Sequence, residues 1–127
     1  MPDYPSTPSL TSLMQESRRV PPLARVAFEQ RHLGRRICWQ LIFATAAPIG
    51  KTAIYSVVAT QRRLWMRFGC WAFFQVDPDR YPSLLTVLPG RRLRVCGVIR
   101  ELNADSVALD AESVEALPKS FFDRFRY

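Results

Sequence analysis

The segment Arg91–Leu117 constrains the fold more than any other part of the chain. Leu93, Val95 and Ile99 alternate with residues that include Arg92, Arg94 and Arg100. Val107 and Leu109 alternate in the same way. Alternation with a period of two is typical of strands that bury one face. Gly97 interrupts the first run, and Asn103–Asp105 has the polar composition of a tight turn. The segment therefore predicts a β-hairpin, of the kind that closes a small β-barrel.

Three more strands are predicted before this hairpin from alternating or β-branched runs, and short amphipathic runs predict helices. Proline and glycine separate these runs, as Pro48 and Gly50 do between the first two strands. The predicted elements, in chain order, are helices at Ser9–Arg19 and Leu23–Leu33, strands at Arg35–Ala46, Thr52–Thr60 and Leu64–Val76, a helix at Tyr81–Leu88, and strands at Arg91–Leu102 and Ser106–Leu117.

The length of 127 residues predicts one folded domain with a core of its own. Residues 1–20, rich in proline and serine, are expected to form a flexible N-terminal arm. Residues 21–118 are expected to form the barrel domain, including an N-terminal helix. Residues 119–127 form an aromatic tail, which either packs on the barrel as a last turn or stays exposed as an anchor for a partner.

The charge of the chain is positive and unevenly distributed. The formal net charge is +7, and the cations are 16 arginines and two lysines. Residues 51–100 carry nine cations and two anions, whereas residues 101–127 carry three cations and six anions. An anionic partner is therefore expected to meet the middle of the chain. The preference for arginine fits bidentate contacts to phosphate, and a GC-rich genome, which favours arginine codons, explains it equally well.

Three cysteines, Cys38, Cys70 and Cys96, lie far apart in apolar runs. Their odd number and the lack of a CxxC spacing argue against a disulfide framework and a zinc site. We therefore expect buried free thiols and a reducing, cytoplasmic compartment. The N-terminal residues lack the basic and apolar regions of a signal peptide. Proline, glycine and lysine interrupt the apolar stretch Ile37–Val58, which argues against a transmembrane helix.

The order helix, three strands, short helix, two strands is that of the OB-fold, a five-stranded Greek-key barrel. The run PGRRLRVCGVIRELNADSVALDAESVEAL resembles the segment that closes many OB domains, including the anticodon-binding type and small bacterial tRNA-anti-like proteins. The resemblance implies a mainly β, five-stranded OB-fold barrel with an N-terminal helix and a short helix between strands three and four. It covers about residues 35–117 and rests on Gly90, Leu93, Val95, Gly97, Ile99, Val107, Leu109 and Val114.

OB domains that bind single strands use the face of strands two and three, where aromatic side chains stack on bases and cations follow the phosphates. The resemblance therefore implies a module that binds single-stranded DNA or RNA with little sequence specificity. Two features argue against it: a helix Leu23–Leu33 packed over this face would exclude binding, and the turn Asn103–Asp105 is short and acidic. The candidate binding residues are Lys51, Tyr55, Arg62, Arg63, Trp65, Arg67, Trp71, Phe73, Arg92 and Arg94.

A second class of function stays open, a protein-interaction or adaptor module within a larger assembly. The arginines can pair with carboxylates of their own chain (Glu101, Asp110, Glu112 and Glu115) or with an acidic protein partner. A homodimer formed through sheet edges also stays open. In this alternative, the partner-binding residues are those of the tail, Phe121, Phe122, Phe125 and Tyr127.

No motif in the chain points to an enzyme. There is no nucleophile elbow, complete phosphate loop or HExxH sequence. His32 is the only histidine, and its position on a helix beside arginines predicts a solvent-exposed residue rather than a general base. We therefore expect binding without catalysis, and no metal, cofactor or membrane partner.

Overall fold

The structure is a computed structural model that describes residues 9–61 and 71–118. No helix within these ranges is long and apolar enough to cross a membrane. In chain order the elements are α1 (Leu10–Arg19), the 3-10 helix η1 (Pro22–Ala24), α2 (Arg25–His32), β1 (Arg36–Pro48), β2 (Tyr55–Thr60), β3 (Trp71–Val76), the 3-10 helix η2 (Pro82–Thr86), β4 (Arg92–Leu102) and β5 (Ser106–Ala116).

The five strands form a closed barrel in the order β1–β2–β3–β5–β4. Neighbouring strands are antiparallel, except that β3 and β5 run parallel. The predicted fold class is confirmed: the chain is mainly β, with an N-terminal helix and a short helix between β3 and β4. The predicted helix Tyr81–Leu88 is shorter than expected and is the 3-10 helix η2.

Alternation along the strands decides which side chains fill the barrel. On β1, Ile37, Trp39 and Leu41 are buried, and the residues between them point outward, as the sequence predicts. On β4, Leu93 and Val95 are buried, while the arginines beside them are exposed. The apolar sets of all five strands meet in one hydrophobic cluster, so the barrel interior is the core of the protein.

Gly97 allows β4 and β5 to approach each other closely at a bulge. The pairing register of the two strands shifts between Cys96 and Gly97. A Cβ atom at residue 97 would collide with the carbonyl oxygen of Asp110 and would lie 2.9 Å from the Cα atom of Ala111. Because only glycine fits there, the interrupted alternation in the sequence marks a real structural bulge.

Helix α1 contributes to the barrel core. It begins after the N-cap residue Ser9, and Leu10, Leu13 and Met14 are fully buried in the main hydrophobic cluster. These apolar positions recur with helical spacing, so a single face of α1 is buried. The helix predicted at Ser9–Arg19 is therefore present as α1 and packs on the barrel.

Hydrogen bonds fix both N-terminal helices to one end of the barrel. The N–H of Thr11 donates to Oε1 of Gln61, just after β2, at 2.8 Å. The hydroxyl of Ser17 donates to the carbonyl oxygen of Asn103, in the β4–β5 turn, at 3.0 Å. Arg25, on α2, donates to the carbonyl oxygen of Ser17 at 2.9 Å. The helices therefore close the barrel end where β2 and β4 finish.

The buried side of α2 is different from the side that its most regular apolar spacing suggests. Phe28 and His32 are buried, with ring centroids 4.8 Å apart. The prediction that His32 is solvent-exposed is therefore wrong. Burial, with the nearby charge of Arg35, lowers the pKa of His32. The remaining large apolar residues of this segment are exposed: Leu23, Val26 and Leu33.

A disulfide joins Cys38 and Cys96. The two residues are direct partners on β1 and β4, with Cα atoms 4.0 Å apart. The prediction of free thiols is therefore wrong for this pair, and the thiol argument for a reducing compartment no longer holds. A separation of 58 residues hides the pair from any spacing rule, because only the β1–β4 register brings the two together. Cys70 lies outside the described residues.

The opposite end of the barrel contains an apolar cavity beneath η2. Its volume is about 240 Å³. It opens between η2 and the ends of the strands, and it is lined by apolar and aromatic side chains that include Phe43, Tyr55, Phe74, Leu84, Val87 and Val114.

Candidate functional site

Trp71 and Phe73 face outward from β3, on the parity that the sequence predicts. Both are half-buried, and the residues on either side of Phe73 point into the barrel. On β2, Thr60 lies opposite Trp71 and Val58 lies opposite Phe73. Two residues along a strand span about 7 Å, so the two aromatic side chains are neighbours on one outer face.

A continuous row of cross-strand partners links Trp71 to Arg92. Thr60 pairs with Trp71 on one side and with Ile42 on the other, and Ile42 pairs with Arg92. Directly paired residues point to the same face of a sheet. Thr60 is buried, Ile42 and Trp71 are half-buried and Arg92 is exposed. Three strand spacings, or about 14 Å along the sheet, separate the indole from the guanidinium.

A groove runs beside this row, over β1 and between the end of β2 and the beginning of β4. Its volume is about 220 Å³, and its lining includes Gln40, Ile42, Gln61 and Arg92. The amide group of Gln40 can donate and accept hydrogen bonds, whereas Oε1 of Gln61 already accepts from Thr11 and its NH2 group can donate. Sequence reasoning missed Gln40, Ile42 and Gln61, because their grouping depends on the registers of two separate ladders.

Two arginines of the outer surface are balanced by carboxylates on β5. Arg36 forms an ion pair with Glu112 at 3.2 Å, and Arg100 forms one with Asp110 at 3.7 Å. All four side chains are at least 42% exposed, so each pair adds little stability. Pairing within the chain, one of the alternatives left open by the sequence, therefore holds for Asp110 and Glu112.

Arg94 and Arg92 differ in their surroundings. Arg94 lies opposite Glu115 in the β4–β5 ladder, close enough for opposite charges to attract. Arg92 lies opposite Ile42 on β1, and no carboxylate of the described residues is within ion-pairing distance of it. The charge of Arg92 is therefore the less compensated of the two.

Tyr55 and Lys51 lie away from the row. Tyr55 pairs with Val76 at the far end of β2 and lines the apolar cavity. Tyr55 and Thr60 are five positions apart along β2, a distance of about 17 Å. Lys51 is exposed in the loop between β1 and β2. The remaining candidates lie outside the described residues: Arg62, Arg63, Trp65 and Arg67, and in the tail Phe121, Phe122, Phe125 and Tyr127.

The two N-terminal helices lie differently relative to the row, in which Thr60 is fully buried and Ile42 and Trp71 are half-buried. Helix α2 packs mainly on η1 and β4, so the packing that would have excluded nucleic-acid binding is not observed for it. Helix α1 is held at Gln61 and Asn103. The β4–β5 turn therefore serves as a support for α1.

The row offers stacking and hydrogen-bonding groups. Among residues 9–61 and 71–118, no three side chains of the metal-ligating types cluster so as to hold a metal ion. The exposed guanidinium, the two amides and the aromatic rings can neutralise an anion, donate hydrogen bonds and stack on planar groups. The arrangement therefore suits the binding of an anion or a planar group.

No family model and no curated protein matches the chain. Solved structures do resemble it. OBody AM1L10 bound to hen egg-white lysozyme is 13% identical with a TM-score of 0.58, over 94% of this chain and 100% of that one. OBody AM3L15 bound to the same protein is 12% identical with a TM-score of 0.56, over 93% and 100%.

A third similar structure is a "putative nucleic acid-binding lipoprotein" from Klebsiella pneumoniae subsp. pneumoniae. It is 12% identical, with a TM-score of 0.57, over 89% of this chain and 92% of that one. At such identities the likeness shows the barrel fold alone, because one fold carries many functions.

Proposed function

We propose that the chain is a basic OB-fold module that binds single-stranded nucleic acid, DNA or RNA, with little sequence specificity. The observation that carries this proposal is the row from Trp71 to Arg92. It joins a half-buried ring that can stack on a base to an exposed cation that pairs with no carboxylate of the described residues, on one outer face of the barrel. A strand crossing the barrel would stack on the rings and run its phosphates along the groove to Arg92.

The interactions that the row offers predict binding with little sequence specificity. A stacked base contributes about 1–3 kcal/mol, and every base has a π-face, so Trp71 and Phe73 would accept any sequence. Arg92 would contribute a salt-dependent phosphate contact, and the net charge of +7 would speed the encounter with an anionic strand. The chain would act by binding, without catalysis.

The other predicted binding residues would contribute to the interface to different extents. Arg94 would contribute less than Arg92, because Glu115 lies opposite it. Lys51 and Tyr55 would reach only a longer strand that continues toward the η2 end. Trp65, Arg67, Arg62 and Arg63, outside the described residues, remain candidates for this surface from the sequence.

A protein partner is the second candidate. Two of the similar structures are OBodies bound to lysozyme, so barrels of this kind can present a protein-binding surface. An acidic partner would compete with Asp110 and Glu112 for their arginines. This candidate predicts no oligonucleotide binding at near-physiological salt.

Fluorescence anisotropy with labelled single-stranded DNA and RNA 20-mers tests the proposal. Trp71→Ala should weaken binding by about 5- to 150-fold, the equivalent of one lost stacking interaction. Arg92→Gln should weaken binding and reduce its dependence on salt. Arg100→Gln is the matched control, because it removes the same charge from an arginine paired with Asp110, off the row.

Binding that survives near-physiological salt and depends on Trp71 would support the proposal. Binding seen only at low salt, and reduced equally by Arg92→Gln and Arg100→Gln, would mean that general charge attracts the oligonucleotide. That result would contradict the proposed face and favour the protein partner.

A further inference from the structure

We propose that the C-terminal segment Lys119–Tyr127 docks in cis into the apolar cavity beneath η2, with a phenylalanine ring inside it. This site is separate from the Trp71–Arg92 row. Its occupant belongs to the same chain, so the cavity would be filled in cis.

The cavity has the size and chemistry of a site for an aromatic ring. Apolar cavities of about 150 Å³ accept benzene, and this one measures about 240 Å³. Its lining combines the aromatic residues Phe43 and Phe74 with the aliphatic residues Val57, Leu84 and Val114. A phenylalanine ring would fill a space that otherwise lacks packing contacts.

The mouth of the cavity is surrounded by apolar side chains that the described part of the chain does not cover. Leu85, which lines the cavity, is 70% exposed, and Leu88 is 65% exposed. Tyr55, also in the lining, is 37% exposed, and Ile54 beside it is 38% exposed. Exposed apolar side chains at the mouth of an apolar cavity, such as Leu85 and Tyr55, are typical of a binding site.

Strand β5 ends at the same end of the barrel as the cavity. Ala116 pairs with Leu93, and Leu93 lines the cavity. The N–H of Leu117 donates to the carbonyl oxygen of Arg92 at 2.9 Å, and Nε of Arg91 donates to the carbonyl oxygen of Leu117 at 2.7 Å. The starting point of the tail is therefore fixed beside the cavity.

The tail is long enough to turn back. Only Lys119 and Ser120 separate Pro118 from Phe121, so Phe121 can lie at most about 11 Å from Pro118. Val114, in the lining, is four residues before Pro118, a distance of about 13 Å along β5. Both adjacent phenylalanines, Phe121 and Phe122, are therefore within reach of the cavity.

The charge of the tail suits the rim. Lys119, Arg124 and Arg126 against Asp123 give the segment a net positive charge. At the rim, Pro78 lines the cavity and lies between two acidic residues, Asp77 and Asp79. Because the tail is tethered, its effective concentration at the site is in the millimolar range, so even weak docking would be populated.

The test uses the full chain with the three phenylalanines of its tail replaced by serine. In Phe121→Ser/Phe122→Ser/Phe125→Ser, we expect large changes in the amide NMR signals of the lining residues Val57 and Leu84, and a several-fold rise in fluorescence of a dye that binds apolar surface. The matched control, Arg124→Gln/Arg126→Gln, keeps every ring and should change neither.

A peptide of sequence KSFFDRFRY should bind the triple serine variant, restore its NMR signals to those of the intact protein and lower the dye fluorescence. Leu85→Glu, which adds a charge at the exposed rim, should weaken this binding. Unchanged amide signals of the cavity-lining residues in the triple serine variant would overturn the proposal. A peptide that fails to bind this variant would also overturn it. Signals that change on dilution of the intact protein would assign the tail to a second copy and also overturn docking in cis.

Discussion

Replacing Gly97 with alanine should destabilise the barrel through a steric conflict between β4 and β5. The added Cβ atom would meet the carbonyl oxygen of Asp110 and the Cα atom of Ala111, both backbone atoms. Backbone cannot rotate away as a side chain can, so we expect a cost of about 2–3 kcal/mol, the upper part of the range for overpacking. For 127 residues, that cost corresponds to a fall in Tm of about 7–11 °C.

Thermal unfolding followed by circular dichroism, with urea unfolding as a second measure, tests this value. Gly50→Ala is the matched control: Gly50 has φ of +56° and no atom within 4 Å of the added Cβ. Its cost should be that of the left-handed backbone alone, about 1 kcal/mol. If Gly97→Ala costs no more than Gly50→Ala, the close approach of β4 and β5 at the bulge is refuted.

Three further predictions follow from the surface and the disulfide. Arg92→Gln should reduce the slope of log K against log salt for single strands by about 0.7, the contribution of one phosphate contact; an unchanged slope would remove Arg92 from the interface. Thiol titration of the unfolded, unreduced protein should find one reactive cysteine, Cys70, whereas three would contradict the β1–β4 disulfide. Burial and Arg35 lower the pKa of His32 in the folded state, so the unfolded state binds the proton more readily. The unfolding free energy should therefore fall as the pH drops below about 6.5, and His32→Gln should remove that part of the pH dependence.

The sequence predicts the strands well because alternation is a local signal. Ile37, Trp39 and Leu41 face inward as expected, since a residue's face depends only on the residues beside it. The parity of Trp71 and Phe73 follows for the same reason. Gly97 could be singled out because it breaks a regular pattern.

The features that the sequence hid depend on partners far away along the chain. Local spacing suggests that α2 has an apolar face, but the side that packs is set by where β4 ends, and Phe28 and His32 are buried. The pairing of Cys38 with Cys96 and the row from Trp71 to Arg92 both depend on ladder registers. Registers depend on pairings between strands, which no single stretch of sequence specifies.

Tyr55 illustrates how strand parity and register decide which site an aromatic residue joins. It shares the parity of Val57 and Ala59, which point into the barrel. Its partner is Val76, whose side chain is buried, so the tyrosine lines the cavity end of the barrel and does not join Trp71. Aromatic content alone therefore could not tell a residue of the row from a residue of the cavity.

Chemical-shift mapping of the amide signals during titration with a short single-stranded oligonucleotide tests whether the row binds nucleic acid. At near-physiological salt, we expect the largest changes to cluster along the row, at Ile42, Thr60, Trp71, Phe73 and Arg92. Changes centred on the ion-paired surface of β5, or no saturable change at all, would contradict the proposed interface.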